Sequence, residues 1–166
     1  MSEVFVISDT HFGHDKILTF EHEGKPLRPF GSLTEMHVEM IDRWNSIVTP
    51  QDKVYHLGDV AFSRESLKIL GLLNGKKRLI RGNHDLFKLK EYTQYFVEVY
   101  GERHINGAWL THVPMHQGSV DQARVKVNIH GHLHANQIDH PKYRNVSVEC
   151  INYTPISLDQ IMEELK

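Results

Sequence analysis

The sequence contains a single cysteine, no long hydrophobic run and no excess of either charge. Cys150 alone excludes an intramolecular disulfide and fits a reducing compartment, which favours a cytoplasmic location. The apolar run at residues 4–7 is far too short for a signal peptide or a membrane span, so we expect no membrane association. With a formal net charge of −2 and no basic stripe, we expect no stable binding to duplex nucleic acid.

The chain is instead rich in histidine. Its 166 residues match the length of one domain, spanning residues 1–166, and 40% apolar with 24% charged residues is an ordinary globular composition. The 13 histidines are unusual for a chain of this length. Because histidine is the commonest metal ligand and titrates near neutral pH, these positions are the first place to look for function.

Hydrophobic runs and capping signals predict alternating strands and helices. Strands are predicted at residues 4–7, 54–57, 78–81, 97–100, 108–111, 125–129 and 146–150. Helices are predicted at residues 16–20, from 33 to a stop before Pro50, and at 64–73, 86–96 and 158–166. The first half therefore favours a parallel sheet with helices outside it, and the mixed spacing of the second half indicates that some of its strands are antiparallel, with a second sheet packed on the first as one arrangement.

The first strand ends in a pair of potential metal ligands. Residues 4–7 are apolar, and Asp9 and His11 follow within four residues. Because alternate residues of a strand point to the same face, the pattern predicts that both side chains face one site. The alternatives are an Asp9 that caps the next turn and a solvated His11.

Similar residues follow five predicted strand ends, many of them after a glycine. They are Asp9 and His11, Asp59, Asn83 with His84 and Asp85, His112, and His132 and His134. The carboxyl ends of parallel strands share one crevice, where such folds bind ligands. Glycines before Asp59, Asn83 and His132 allow sharp turns that bring the ligands close. The set contains no thiolate and is too large for one tetrahedral zinc, so it predicts two ions among Mn²⁺, Fe, Co²⁺, Ni²⁺ and Zn²⁺.

Taken in order, these motifs resemble the signature of calcineurin-like metallophosphoesterases. They are Asp9-x-His11, Gly58-Asp59, Gly82-Asn83-His84-Asp85, Thr111-His112 and Gly131-His132-Leu133-His134. The stretches SDTHFGH, RPF, YHLGD and NYTPISLD and the Trp44-Asn45 pair resemble a small, cap-less bacterial and phage branch of that family. The resemblance implies an α/β fold, a four-layer α/β/β/α sandwich with two mixed sheets between helices.

The resemblance also implies a ligand set and a reaction. One metal ion would be held by Asp9, His11, Asp59 and His134, and a second by Asp59, Asn83, His112 and His132, with Asp59 bridging. Manganese is the first expectation, with Fe, Ni, Co and Zn as alternatives. Such a pair makes hydroxide available near neutral pH and stabilises an in-line displacement at phosphorus. The expected activity is hydrolysis of small phosphomonoesters or phosphodiesters.

Roles for other residues follow from the same resemblance and from position. His84 would be the catalytic acid, and the Asp85 carboxylate would orient its imidazole. We expect substrate contacts from His14 and His116, which lie shortly after ligands, and weaker candidates are Arg28 in loop 21–31 and Asn45. For Arg28 the alternative is a solvated loop, and for Asn45 a helix-surface amide. His56 and His130 are expected to be buried and hydrogen-bonded.

Several function classes remain open or are disfavoured. Protein phosphatases of this superfamily carry a second Asp and an Arg soon after the Gly-Asp pair, whereas Val60, Ala61 and Phe62 follow here. The rivals are a non-catalytic scaffold, which the presence of His84 disfavours, and a nuclease or nucleotidase. The expected partner is a small phosphate ester, with nucleotides included, and we expect no obligate protein partner.

Overall fold

The computed structural model describes residues 2–165. The strands are β1 (Val4–Ile7), β2 (Glu21–His22), β3 (Lys25–Pro26), β4 (Lys53–His56), β5 (Lys76–Ile80), β6 (Glu98–Tyr100), β7 (Arg103–Ile105), β8 (Ala108–Leu110), β9 (Val127–His130), β10 (Tyr143–Asn145) and β11 (Ile156–Ser157). The α-helices are α1 (Leu33–Ile47), α2 (Arg64–Leu67), α3 (Leu89–Tyr92), α4 (Gln117–Val120) and α5 (Leu158–Glu163). Short 3₁₀ turns cover Asp15–Thr19, Lys68–Leu72 and Val148–Cys150.

Two mixed sheets dominate the fold. The first has the order β11-β1-β4-β5-β6, in which β1, β4, β5 and β6 are parallel and β11 is antiparallel. The second has the order β10-β9-β8-β7, in which only β7 is antiparallel. The predicted pair of mixed sheets is confirmed, and the small hairpin β2–β3 lies within loop 21–31.

The two sheets pack face to face through apolar side chains. Val6 of β1 lies in the cluster between the sheets, together with Leu110 and Ile129 of the second sheet. Ile7 lies in the other cluster, against Met40 and other residues of α1. Because neighbouring residues of a strand point to opposite faces, one strand supplies both cores. The result is the four-layer α/β/β/α arrangement of two mixed sheets between helices, as predicted.

Helix α1 begins and ends where its capping residues predict. The Ser32 hydroxyl accepts a hydrogen bond from the Glu35 N–H at 3.1 Å, and the Glu35 carboxylate accepts one from the Gly31 N–H at 2.7 Å. Side chains on one face of the helix, including Met36 and Trp44, are buried. The helix ends at Ile47, before Pro50, because the proline restricts the conformation of the residue that precedes it.

The helix predicted at residues 16–20 is a 3₁₀ turn, and the one predicted at residues 64–73 is α2 followed by a 3₁₀ turn. Two other predicted elements differ more. The helix predicted for residues 86–96 is the single turn α3, because the Arg81 guanidinium takes up the carbonyls of Asp85 and Phe87 at 2.8 and 3.0 Å. The strand predicted for residues 146–150 is instead a segment that follows β10 and ends in the 3₁₀ turn Val148–Cys150, in which the Val148 N–H bonds to the Ser8 carbonyl at 3.1 Å. Residue 166 of the last predicted helix lies outside the described residues. Within residues 2–165, no helix has the length and apolar character needed to cross a membrane.

Candidate metal centre

Five strand ends bring the predicted ligands to one site. They follow β1, β4, β5, β8 and β9. Asp9, His11 and His134 form one cluster and Asp59, His112 and His132 a second, and within each cluster the ligand atoms lie within 4.8 Å of one another. The Asn83 side-chain oxygen lies 2.8 Å from His112 Nε2 and 3.0 Å from His132 Nδ1, so it belongs to the second cluster. All seven predicted ligands thus converge.

Asp59 lies between the two clusters. Its Oδ2 atom is 3.6 Å from His11 Nε2 and 3.4 Å from His112 Nε2, so one carboxylate oxygen reaches an imidazole of each cluster. Its other oxygen accepts the backbone N–H of His84 at 2.9 Å. This hydrogen bond fixes the carboxylate, which leaves Oδ2 directed between the clusters.

Buried polar atoms without partners show that the residues fit metal ions. Among the described residues, Asp9 Oδ1 and both ring nitrogens of His11 make no hydrogen bond, although both side chains are buried. Orphaned buried acceptors of this kind are costly unless a cation satisfies them. Carboxylate oxygens and imidazole nitrogens are donors that borderline divalent metals accept.

The backbone at the ligands adopts an unusual conformation. Five of the ligands have positive φ angles, namely Asp9 at 58°, His11 at 47°, Asp59 at 56°, His132 at 69° and His134 at 51°. Left-handed backbone is uncommon outside glycine and concentrates at functional sites. Asp9 and His11 do face one site, but strand alternation is not the reason. Strand β1 ends at Ile7, and left-handed turns direct these two side chains.

Two glycines allow the close approach that was predicted for them. A Cβ atom at Gly82 would lie 2.3 Å from Asp59 Oδ1, and one at Gly131 would lie 2.3 Å from Asp9 Oδ2. Any side chain at either position would displace a ligand carboxylate. The Asp9 carboxylate is held by Ser147, whose hydroxyl donates to Oδ2 at 3.0 Å.

The protonation states also suit metal binding. Burial alone would raise the pKa of Asp9, but the adjacent imidazole of His11 and the nearby imidazoles of His112 and His134 hold that pKa well below its usual range. Burial lowers the pKa values of His11 and His132, which favours neutral imidazoles. For His112, burial acts in the same direction, but the Asp59 carboxylate raises the pKa overall.

Hydrogen bonds to the second ring nitrogen orient two of the histidine ligands. His112 Nδ1 lies 2.7 Å from the Leu57 carbonyl oxygen, to which it donates. His134 Nδ1 lies 3.0 Å from Glu149 Oε1. In both rings Nε2 remains available to a metal, in the arrangement by which proteins orient metal-binding imidazoles.

Arg28 supports the site from beneath. Its side chain is fully buried, and its guanidinium donates to the carbonyls of Asp9 and Thr10 and to Glu149 Oε1 at 2.8 Å. The prediction that Arg28 contacts substrate is wrong. Its guanidinium is already bonded to these groups and is buried away from any surface that a substrate could touch. Sequence analysis missed Glu149, whose only signal was a carboxylate within a predicted apolar strand.

Removing the Arg28 guanidinium should destabilise the fold. In Arg28→Met the buried Glu149 carboxylate loses its charged partner, and breaking a buried pair in this way costs about 3–5 kcal/mol. The free energy of unfolding in urea measures the loss. Arg43→Met is the matched control, since Arg43 pairs with Glu39 at the surface, where such pairs contribute about 1 kcal/mol or less. Equal losses in the two variants would contradict the supporting role.

The structure places His84 at the site and gives Asp85 a different role from the predicted one. The exposed His84 ring lies 5.9 Å from the His11 ring, measured between centroids. The buried Asp85 carboxylate accepts the backbone N–H groups of Asp59, Val60 and Gly82 at 2.7–2.9 Å. Among the described residues its hydrogen bonds do not include one to the His84 imidazole, so Asp85 fixes the two ligand-bearing loops instead of orienting His84.

The other three residues predicted to contact substrate, His14, Asn45 and His116, have different surroundings. His14 lies at the site, with its ring 5.7 Å from that of His11. The Asn45 side chain is bonded to the Leu72 carbonyl at 2.9 Å and to the Asn74 N–H at 2.8 Å. The prediction that it contacts substrate is therefore wrong, and Asn45 instead joins α1 to the segment before β5. His116 caps α4 through the Gly118 N–H.

His56 and His130 are fully buried, as predicted. His56 Nε2 lies 2.9 Å from the Thr10 hydroxyl, and His130 Nδ1 lies 2.9 Å from the Gly131 carbonyl oxygen.

The chain is similar to several known proteins, although no protein-family model matches it. It is 38% identical over 178 residues to the uncharacterized protein MJ1445 of Methanocaldococcus jannaschii, which covers 98% of this chain and 91% of that protein. The Gene 66 protein of Mycobacterium phage D29 is 37% identical over 90 residues, or 51% of this chain and 41% of the phage protein.

Solved structures show the same fold. A protein of unknown function from Aquifex aeolicus, AQ665, superposes with a TM-score of 0.80 at 28% identity, covering 99% of this chain and all of that one. An archaeal phosphodiesterase superposes with a TM-score of 0.50 at 18% identity, covering 87% and 82% of the two chains. The second likeness concerns the fold alone.

Proposed function

The chain belongs to the same family as the Methanocaldococcus jannaschii protein MJ1445 and has the metallophosphoesterase fold, and from this premise we propose that it is a phosphohydrolase that uses two divalent metal ions. Its substrates are small phosphomonoesters or phosphodiesters. The observation that carries the proposal is the pair of ligand clusters with the Asp59 carboxylate between them.

The proposed ligands divide between two ions. Asp9, His11, Asp59 and His134 would hold one, and Asp59, Asn83, His112 and His132 the other. Manganese is our first choice, with Fe, Ni, Co and Zn as alternatives, because the donors are oxygen and nitrogen without thiolate. Such ions, when bound, act as Lewis acids toward phosphate and lower the pKa of water.

The role proposed for His84 follows from its position. Its backbone N–H is bonded to the Asp59 carboxylate, and its ring is exposed beside the ligands. From there the imidazole would donate a hydrogen bond or a proton to the leaving oxygen of the ester. We also propose a cytoplasmic location, which the single Cys150 supports.

A panel of model substrates tests the proposed activity. The purified chain is assayed with p-nitrophenyl phosphate, bis-p-nitrophenyl phosphate and nucleotides, each with Mn²⁺, Ni²⁺ or Zn²⁺ and after chelation. We expect hydrolysis of at least one substrate class that depends on added metal and stops with chelator. Absence of metal-dependent hydrolysis across the whole panel would contradict the proposal.

Metal affinity should fall as the pH falls. Burial lowers the pKa of His134, but Glu149 raises it overall, and the pKa of His112 is raised as well. Below these pKa values each ring holds a proton that the metal must displace, so affinity should drop by up to about tenfold per pH unit for each protonated ring. The Asp9 carboxylate stays ionised over this range because its pKa is held low.

Titration with Mn²⁺ between about pH 8 and pH 5 checks this expectation. The decline should begin above the ordinary pKa of histidine, since both rings have raised pKa values, and binding should release protons into the buffer. An affinity that stays constant over this range would contradict the histidine assignment.

A further inference from the structure

An exposed aromatic ring lies at the metal centre. Phe62 is 38% exposed, and its ring is stacked on that of His14, with centroids 4.0 Å apart and an interplanar angle of 7°. The ring also lies 5.1 Å from the His11 ring and 5.3 Å from the His84 ring. Phe62 therefore contacts a candidate metal ligand, His11, the candidate acid, His84, and a candidate substrate contact, His14.

The backbone holds Phe62 firmly in this position. Its N–H donates to the Phe12 carbonyl at 2.8 Å, and the Phe12 N–H donates to the Val60 carbonyl at 2.9 Å. The Phe12 side chain is buried in the core, so the loop that carries Phe62 is anchored to it. A ring that is positioned before binding loses little conformational freedom when a ligand stacks on it.

The two sides of the site differ in polarity. On the side of His11, Phe62 is joined by Phe20, which is 46% exposed and meets the His14 ring edge-on at 5.7 Å. On the side of His112 the exposed ligand is the Asn83 amide. Apolar and stacking contacts for the organic group of an ester are therefore available on the aromatic side.

We propose that Phe62 determines substrate specificity, and that the site takes phosphate esters whose organic group carries a flat aromatic ring. The inference rests on the proposed function. A group attached to a phosphate beside His11 meets the Phe62 ring, because the two rings are only 5.1 Å apart. An aryl ester and a nucleotide share this chemistry and differ in the distance from the ring to phosphorus.

Binding of non-hydrolysable phosphonates to the manganese-loaded chain tests the proposal by calorimetry. Phenylphosphonate is compared with cyclohexylphosphonate and methylphosphonate, which separates stacking from apolar burial. The phosphonate analogue of adenosine 5′-monophosphate is compared with that of ribose 5-phosphate, which tests a ring farther from phosphorus. Stacking of one ring on one aromatic side chain should tighten binding about tenfold.

The expected result is that at least one aromatic ligand binds about tenfold more tightly than its ring-free partner, and that Phe62→Ala and Phe62→Leu remove this preference while Phe62→Trp retains it. The pair with the larger preference identifies the aryl or the nucleoside source. Leu72→Ala, at another exposed apolar side chain, should leave every affinity unchanged.

Three results would overturn the proposal: equal binding of aromatic and ring-free ligands by the unaltered chain, an unchanged preference in Phe62→Ala, or no binding of any phosphonate. Because binding is measured without turnover, an aromatic preference in a chain that hydrolyses nothing would retain this inference and reject the proposed function. Metal-dependent hydrolysis without any aromatic preference would do the reverse.

Discussion

Asp59→Asn should lose both metal ions together. The Asp59 carboxylate reaches an imidazole of each cluster, at 3.6 Å from His11 and 3.4 Å from His112, so its charge serves both positions. Removing a hydrogen-bond partner of a metal ligand weakens metal binding by about 10- to 100-fold. Removing a ligand itself should weaken binding by more than this. Metal analysis of the purified variant measures the ions retained per chain.

Asp52→Asn is the matched control for this prediction. Asp52 is also a buried carboxylate, but its oxygens accept the N–H groups of Thr49 and Glu3, at 2.8 Å each. It is not one of the proposed metal ligands. This variant should keep its metal content. Two ions per chain in Asp59→Asn would show that the carboxylate does not bridge.

His84→Ala should keep its metal and lose turnover. The His84 side chain lies beside the ligands without belonging to either cluster, so both ions should remain bound. Removing a positioned general acid lowers the rate by about 10²–10⁴-fold. Parallel measurement of kcat and of metal content separates this loss from a loss of metal.

An exposed histidine away from the ligands provides the comparison for His84. His104 packs against Trp109 with ring centroids 4.0 Å apart, and His104→Ala should leave both kcat and metal content unchanged. If His84→Ala turned over substrate at the unaltered rate, the assignment of His84 as the acid would be wrong. Loss of metal in that variant would instead make His84 part of the metal centre.

The sequence predicted the fold class and the residues that converge because both follow from short-range patterns. Apolar runs indicate the buried strands. The polar residues that follow each run indicate the carboxyl end of the strand, and it is at these ends that Asp9, Asp59 and His132 meet. The cap at Ser32 likewise predicts the start of α1 from a side chain only three residues from its partner.

Long-range and backbone effects could not be predicted in the same way. Arg28 and Glu149 are 121 residues apart, and neither has a local pattern that pairs them under the site. The left-handed residues Asp9 and His134 are also bonded to other segments of the chain, the Asp9 N–H to the Gly58 carbonyl at 3.0 Å and the His134 carbonyl to the Asn145 amide at 2.8 Å, and no local pattern predicts these partners. The carboxylate of Asp85 follows His84 directly, yet its partners are the N–H groups of Asp59, Val60 and Gly82.

The most direct test of two ions that share Asp59 is a crystal structure of the manganese-loaded chain with anomalous scattering. We expect two anomalous peaks, one among Asp9, His11 and His134 and one among Asn83, His112 and His132, with the Asp59 carboxylate touching both. One peak alone, or two peaks without Asp59 between them, would contradict this description of the site.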